Sequence, residues 1–190
     1  MTSRSCYYRL CFEQVLSVRW AHPTTTFPFG NNVNFSTGLA LDVRIIMNPE
    51  LSIKKIWFDD DLTELLISVC DGCSTFTNKV YIAKQEMVIL IDRLDIFKNH
   101  YYGGLEDITW GEFGYEYANG AFAARLHFPK PSILYISTYQ QGRFFEFKEQ
   151  QEAAEAKMYL KSEPVLLDNF IEELKDLNSG ITDVAKLICI

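Results

Sequence analysis

Four groups of residues have types and spacings that chemistry uses. Cys70 and Cys73 form a Cys-x-x-Cys pair around Asp71-Gly72. A redox thiol pair needs a helix N-terminus to lower a thiol pKa, whereas this pair straddles a predicted β-turn. A zinc site needs two further ligands at matching spacing, and the sequence offers no second pair. Asp59-Asp60-Asp61 is a run of acids without the alternating ligands and turn glycine of a calcium loop, so it reads as a solvated or partner-facing acidic patch. His22, His100 and His127 are too scattered for metal spacing. No nucleophile elbow, dinucleotide fingerprint or phosphate loop is present. No cofactor, no metal and no enzymatic activity are therefore expected.

The most distinctive run is Trp110-Gly-Glu112-Phe-Gly-Tyr115-Glu-Tyr117. Alternation on a strand would put Glu112 on one face and Phe113, Tyr115 and Tyr117 on the other. One reading is a core face with solvated acids. The functional reading is an aromatic–acidic recognition surface, because Tyr and Trp are enriched at interfaces. The candidate binding residues are thus Trp110, Glu112, Tyr115 and Tyr117, with Asp59, Asp60 and Asp61.

The elements that must position these residues are legible from periodicity. Residues 62–70 alternate Leu65, Ile67 and Val69, and the chain returns through Phe76, Val80 and Ile82 after a two-residue turn at Asp71-Gly72. In residues 84–98, Met87, Leu90, Ile91, Leu94 and Phe97 form one helical stripe. Residues 105–111 read as irregular or a short strand. A second hairpin is expected over 113–128 about Asn119-Gly120, stopped at Pro129-Lys-Pro131. A third is expected from 133–138 and 143–148. A strand over 154–160 leads to a helix over 163–177, with Ser162 as N-cap and Pro164 in the first turn. Residues 182–190 read as a last strand or a short helix, with the strand favoured.

Lys79-Val-Tyr81-Ile and Lys157-Met-Tyr159-Leu precede the two helices at similar distances. The stripe residues Met87, Leu90, Ile91, Leu94 and Phe97 match Leu167, Phe170, Ile171, Leu174 and Leu177. The expected fold is therefore α+β: a twisted, mainly antiparallel sheet of roughly six to eight strands with two helices on one face, built from a duplicated strand–helix unit.

Charge divides the chain near Met47. Residues 1–46 hold four Arg, no Lys, and Glu13 and Asp42 as their acids, for +2; the remainder holds eleven Lys, three Arg and twenty-three acids, for −9. The expected organisation is an N-terminal extension over 1–46 and one α+β domain over 47–190. For the extension three readings stand: upstream sequence from a misplaced start, an edge hairpin or arm, or an acid-poor targeting peptide. The net charge of −7 argues against nucleic acid and fits a basic protein partner. No apolar run reaches the roughly 20 residues of a membrane span, and five Cys without a disulfide spacing suit reduced thiols, so a cytoplasmic location is expected.

The residues Leu65-Leu-Ile-Ser-Val-Cys-Asp71 with Phe76, then Leu94 with Phe97, and Leu167 through Leu174, resemble small uncharacterised bacterial proteins similar to immunity proteins encoded beside toxins. The resemblance covers about residues 50–178 and has no counterpart for the first 46. It implies a non-enzymatic protein-binding domain with an acidic surface for a basic partner such as a toxin, and it assigns no catalytic residue. The alternative function is a small-molecule-binding domain with an aromatic pocket between helices and sheet.

Overall fold

A computed structural model describes residues 47–100, 102–114 and 120–190. The leading segment 1–46, with its three readings, lies outside the described residues, as do Tyr115, Tyr117 and Asn119.

The described chain is α+β, with two helices and antiparallel sheets. Its elements run β1 (Glu50–Phe58), β2 (Leu62–Cys70), β3 (Thr75–Ala83), α1 (Lys84–Phe97) and β4 (Leu105–Trp110). They continue as β5 (Ala121–Lys130), β6 (Ile133–Gln141), β7 (Phe145–Phe147), β8 (Gln150–Glu152), β9 (Glu155–Ser162), α2 (Pro164–Ser179) and β10 (Val184–Ile188). The single sheet expected from sequence is replaced by three. Sheet A has the order β10-β1-β2-β3, sheet B the order β4-β5-β6-β9, and β7-β8 is a separate ribbon. The strand after α1 thus joins the sheet of the later strands, and the strand after α2 joins the sheet of the earlier ones.

Alternation explains which faces turn inward. Leu51, Ile53, Leu65, Ile67, Val69, Val80 and Ile82 are buried from sheet A, and Ile108, Trp110, Ala124, Leu126, Phe128, Leu134 and Ile136 from sheet B. Both helix stripes are buried as expected and join these residues in one core. Full burial of one such Leu or Phe stabilises by roughly 1.5–3 kcal/mol, so the core dominates the fold.

Several local expectations are corrected. β1 breaks its alternation at a bulge between Lys55 and Trp57, which hid it from a period-2 reading. The β2–β3 connection is a four-residue loop, with Cys70 paired to Thr75. Asp71 Oδ1 accepts the amides of Cys73 and Ser74 there, so the side chain replaces a tighter turn. The second hairpin is built from β4 and β5, with Trp110 opposite Phe122, and Phe113 lies in the connection rather than a strand. β5 runs through Pro129 to Lys130 across a register shift. The segment 143–148 does not pair with β6; β9 takes that place, and Phe145–Phe147 turns back on Gln150–Glu152. Ser162 is not an N-cap, because its hydroxyl donates to the Ile188 carbonyl at 2.7 Å; Glu163 holds the cap position.

The sheets meet at a buried polar junction. Asn78 of β3 donates through Nδ2 to the carbonyls of Ala121 (2.9 Å) and Gln141 (3.1 Å), and Gln140 Nε2 donates to Asn78 Oδ1 at 2.7 Å. Gly120 has φ of 76°, and a Cβ there would lie 2.7 Å from the Lys79 carbonyl oxygen. Its glycine serves this close approach instead of a two-residue turn.

Of the described cysteines, Cys70 and Cys189 are buried and Cys73 is exposed. Burial, reinforced by the Glu50 carboxylate, pushes the Cys189 thiol up to about 12. In a Cys6→Ser/Cys11→Ser variant, titration of the native protein with a disulfide reagent at pH 8 is expected to modify Cys73 rapidly. Cys70 and Cys189 should react at least about 100-fold more slowly, through opening of the fold. Three equally fast thiols would contradict this packing.

Candidate binding surfaces

The expected binding residues do not converge on one surface. Trp110 is only 4% exposed and packs its ring 5.8 Å from that of Phe122, so it belongs to the core. Glu112 is exposed in the connection that follows β4. Asp59, Asp60 and Asp61 are exposed and form the β1–β2 turn at the end of sheet A. Asp59 Oδ1 accepts the amides of Leu62 (2.7 Å) and Asp61 (2.9 Å), and these donors hold its carboxyl below the usual range. Its first role is therefore to shape that turn. Among the described residues, no group of three or more His, Cys, Asp or Glu side chains could hold a metal ion.

One surface is the outer side of the helix pair. α1 and α2 carry seven acids (Glu86, Asp92, Asp95, Asp168, Glu172, Glu173, Asp176) against three bases (Lys84, Arg93, Lys175), a net of −4. Ion pairs stitch the helices together. Asp95 meets Lys98 at 2.9 Å and Lys175 at 3.1 Å, and Lys98 reaches Asp168 at 3.7 Å. The hydrogen bond from Lys98, and then that from Lys175, lowers the Asp95 pKa. The small stabilisation from such a pair is present above the ordinary carboxylate pKa and is lost as pH falls through the lowered value. Val88, Ile89, Ile96 (62% exposed) and Val165 (66%) remain on this surface. Sequence reasoning overlooked it because these side chains fall outside the helix stripes that signal a core.

The other surface is the outward face of sheet B, where register places side chains in rows. Across β4, β5, β6 and β9, one row reads Leu105, His127, Tyr135, Lys161; the next reads Asp107, Arg125, Ser137, Tyr159; the third reads Thr109, Ala123, Tyr139, Lys157. Asp107 grips Arg125 through two hydrogen bonds of 2.7 and 2.8 Å, which lower the Asp107 pKa. Tyr139 is enclosed: Phe113 stacks on it at 4.5 Å, the Lys157 ammonium lies 4.8 Å from its centroid, and its hydroxyl donates to Glu155 at 2.7 Å. Burial, with Glu155 adding to it, pushes the Tyr139 phenol up to about 12. The connection bearing Glu112 and Phe113 thus folds against this face, and Gly114 N donates to Gln141 Oε1. Tyr135 and Tyr159 stand 49% and 76% exposed beside a depression of about 400 Å3 lined by Leu105, Arg125, His127 and Ser137. Counting Asp107, Glu155, Arg125, Lys157 and Lys161 together with Glu112 of the connection folded against it, the face is neutral, unlike the helices. The signal in sequence was the alternation of Tyr135, Ser137 and Tyr139, but only strand order reveals their neighbours.

The space between helices and sheets is occupied by the core, so the depression lies on the opposite side of sheet B from the aromatic pocket considered above. No helix among the described residues is long and apolar enough to cross a membrane. Comparisons of the chain with protein-family models, with curated proteins and with solved structures give no match.

Proposed function

We propose that this chain is a non-enzymatic protein-binding domain, of the immunity type its sequence resembles, that docks a basic protein on the outer side of α1 and α2. The observation that carries this reading is the pairing of exposed Val88, Ile89, Ile96 and Val165 with the net −4 of the same two helices. Burying apolar side chains supplies affinity, while the acids speed encounter and reject acidic competitors. Cross-links from Asp95, Lys98, Lys175 and Asp168 hold the platform in one shape, which reduces the ordering cost of docking.

The test is affinity capture from the native host at low salt with the wild-type chain and two variants. A basic partner should be retained by wild type and by Lys157→Glu, and lost with Ile96→Glu, by about 100-fold in affinity. A partner indifferent to Ile96→Glu, or one that follows Lys157→Glu, would refute docking on the helices.

The duplicated unit is part of the same reading. β1-β2-β3-α1-β4 is followed by β5-β6-β9-α2-β10, apart from the inserted ribbon, and each half gives its last strand to the other's sheet. Arg93 Nη2 donates to the Asp107 carbonyl in β4 at 2.5 Å, and Glu173 accepts the Lys186 amide of β10 at 2.7 Å. Arg93 and Glu173 each fall six residues after the matched stripe residues Met87 and Leu167. Equivalent helix positions thus tether equivalent strands, which supports two copies of one unit that have exchanged strands.

A further inference from the structure

The geometry points to a second binding site, on the outward face of sheet B, for a small planar aromatic anion. Ser137 is the floor. Its small side chain sits directly between Arg125 on β5 and Tyr159 on β9, and Tyr135 rises two residues along its own strand. Tyr135 and Tyr159 are therefore diagonal neighbours across β6 and β9. Diagonal positions in an antiparallel pair stand about 7–8 Å apart. A flat ring needs roughly 3.5–4.0 Å of contact distance on either side, which matches that spacing of the two residues, and the proposed ligand ring lies between their side chains. Both tyrosines are exposed, whereas Tyr139 in the next row is already enclosed by Phe113 and Lys157.

Charge decides the ligand's polar group. Arg125 flanks the floor, His127 lies opposite Tyr135 on one side and Lys161 opposite it on the other. Asp107 engages Nε and Nη2 of Arg125, fixing the guanidinium plane while further N–H donors remain on the group. Leu105 adds an apolar wall at the β4 edge. A ring held between two tyrosines with a carboxylate or sulfonate directed at Arg125 meets every one of these features. The depression of about 400 Å3 is within the size range of small-ligand sites. None of these residues lies on α1 or α2, so the site is separate from the docking surface proposed there.

The experiment is calorimetric titration of the full chain with 2-naphthoate and with its neutral analogue 2-naphthalenemethanol. Wild type is expected to bind 2-naphthoate, and the alcohol about 10-fold more weakly. Tyr159→Ala removes one wall and Ser137→Leu fills the floor; each should weaken 2-naphthoate by about 10-fold or more. Arg125→Gln should abolish the preference for the anion, and Tyr81→Ala on sheet A should change nothing. Thermal unfolding of each variant confirms that these surface changes leave the fold intact. Absence of binding to folded wild type would overturn the site, as would indifference to Tyr159→Ala and Ser137→Leu. Displacement of 2-naphthoate by lower concentrations of a short oligothymidylate would also overturn it, replacing the small ligand with a single strand stacked on the same rings.

Discussion

Severing the chain between Gly114 and Gly120 is expected to produce two pieces that do not fold alone and that regain structure when combined. The first piece, from Met47, contains three strands of sheet A but donates β4 to sheet B; the second contains three strands of sheet B but donates β10 to sheet A. Each piece alone leaves the sheet it keeps without its fourth strand, and its own last strand without a partner. The first would lose Ala185 and Leu187 from its core, together with the buried stripe of α2; the second would lose Ile108, Trp110 and the stripe of α1. At roughly 1.5–3 kcal/mol for each large side chain, these losses are as large as the roughly 5–15 kcal/mol that typically holds a whole domain. Circular dichroism of each piece should show no cooperative unfolding, and an equimolar mixture should recover one transition. A cooperative transition in either piece alone would show that strand exchange is not required for stability.

The second large effect is expected at Asn78. Replacing it with Leu should destabilise the protein by about 3 kcal/mol, and lower the melting temperature by about 10 °C. The side chain is 5% exposed and bridges the two sheets, so its loss strips donors from the Ala121 and Gln141 carbonyls and an acceptor from Gln140. Buried carbonyls left without donors carry their full desolvation cost. Gln140→Leu should cost less, about 1 kcal/mol, because removing Gln140 Oε1, already buried without a hydrogen-bond donor, offsets part of the cost of leaving Asn78 Oδ1 without its donor. Chemical denaturation of both variants measures the difference. Equal losses would mean that the junction acts through packing alone.

Period-2 alternation located β2, β3 and much of β5, and β10 was correctly read as a strand. The helical stripes of α1 and α2 correspond residue for residue to their buried faces. Such signals are legible because each element must hide its own apolar side, and that demand is written locally. Turn residues were less faithful. Asp71-Gly72 closes a four-residue loop, and Gly120 serves a contact between sheets, because glycine answers any need for positive φ or close approach. Phe113, Tyr115 and Tyr117 read as one face of a strand, yet β4 ends at Trp110, which is buried, and Phe113 lies in the connection beyond it. Alternation alone cannot say where a strand stops.

Apart from the β2–β3 hairpin, partners in space were not legible. Nothing local to β6 distinguishes β9 from the segment around Phe145 as its neighbour, and nothing in β10 names β1. Pairing is decided by which arrangement buries every inward face at once, a property of the whole chain. The candidate surfaces follow from that decision. The acids of the helices were visible in the sequence, but their grouping with Ile96 and Val165 needed both helices in place. Ser137 lies between Arg125 and Tyr159 only because β5, β6 and β9 pair in this register. The sequence by itself thus determined an α+β chain with two amphipathic helices and a net negative charge. Tertiary structure divided its strands between two sheets, sent Trp110 inward, and brought Tyr135 and Tyr159 to either side of a serine. Burial is specified residue by residue, whereas neighbours across a sheet are set by long-range pairing.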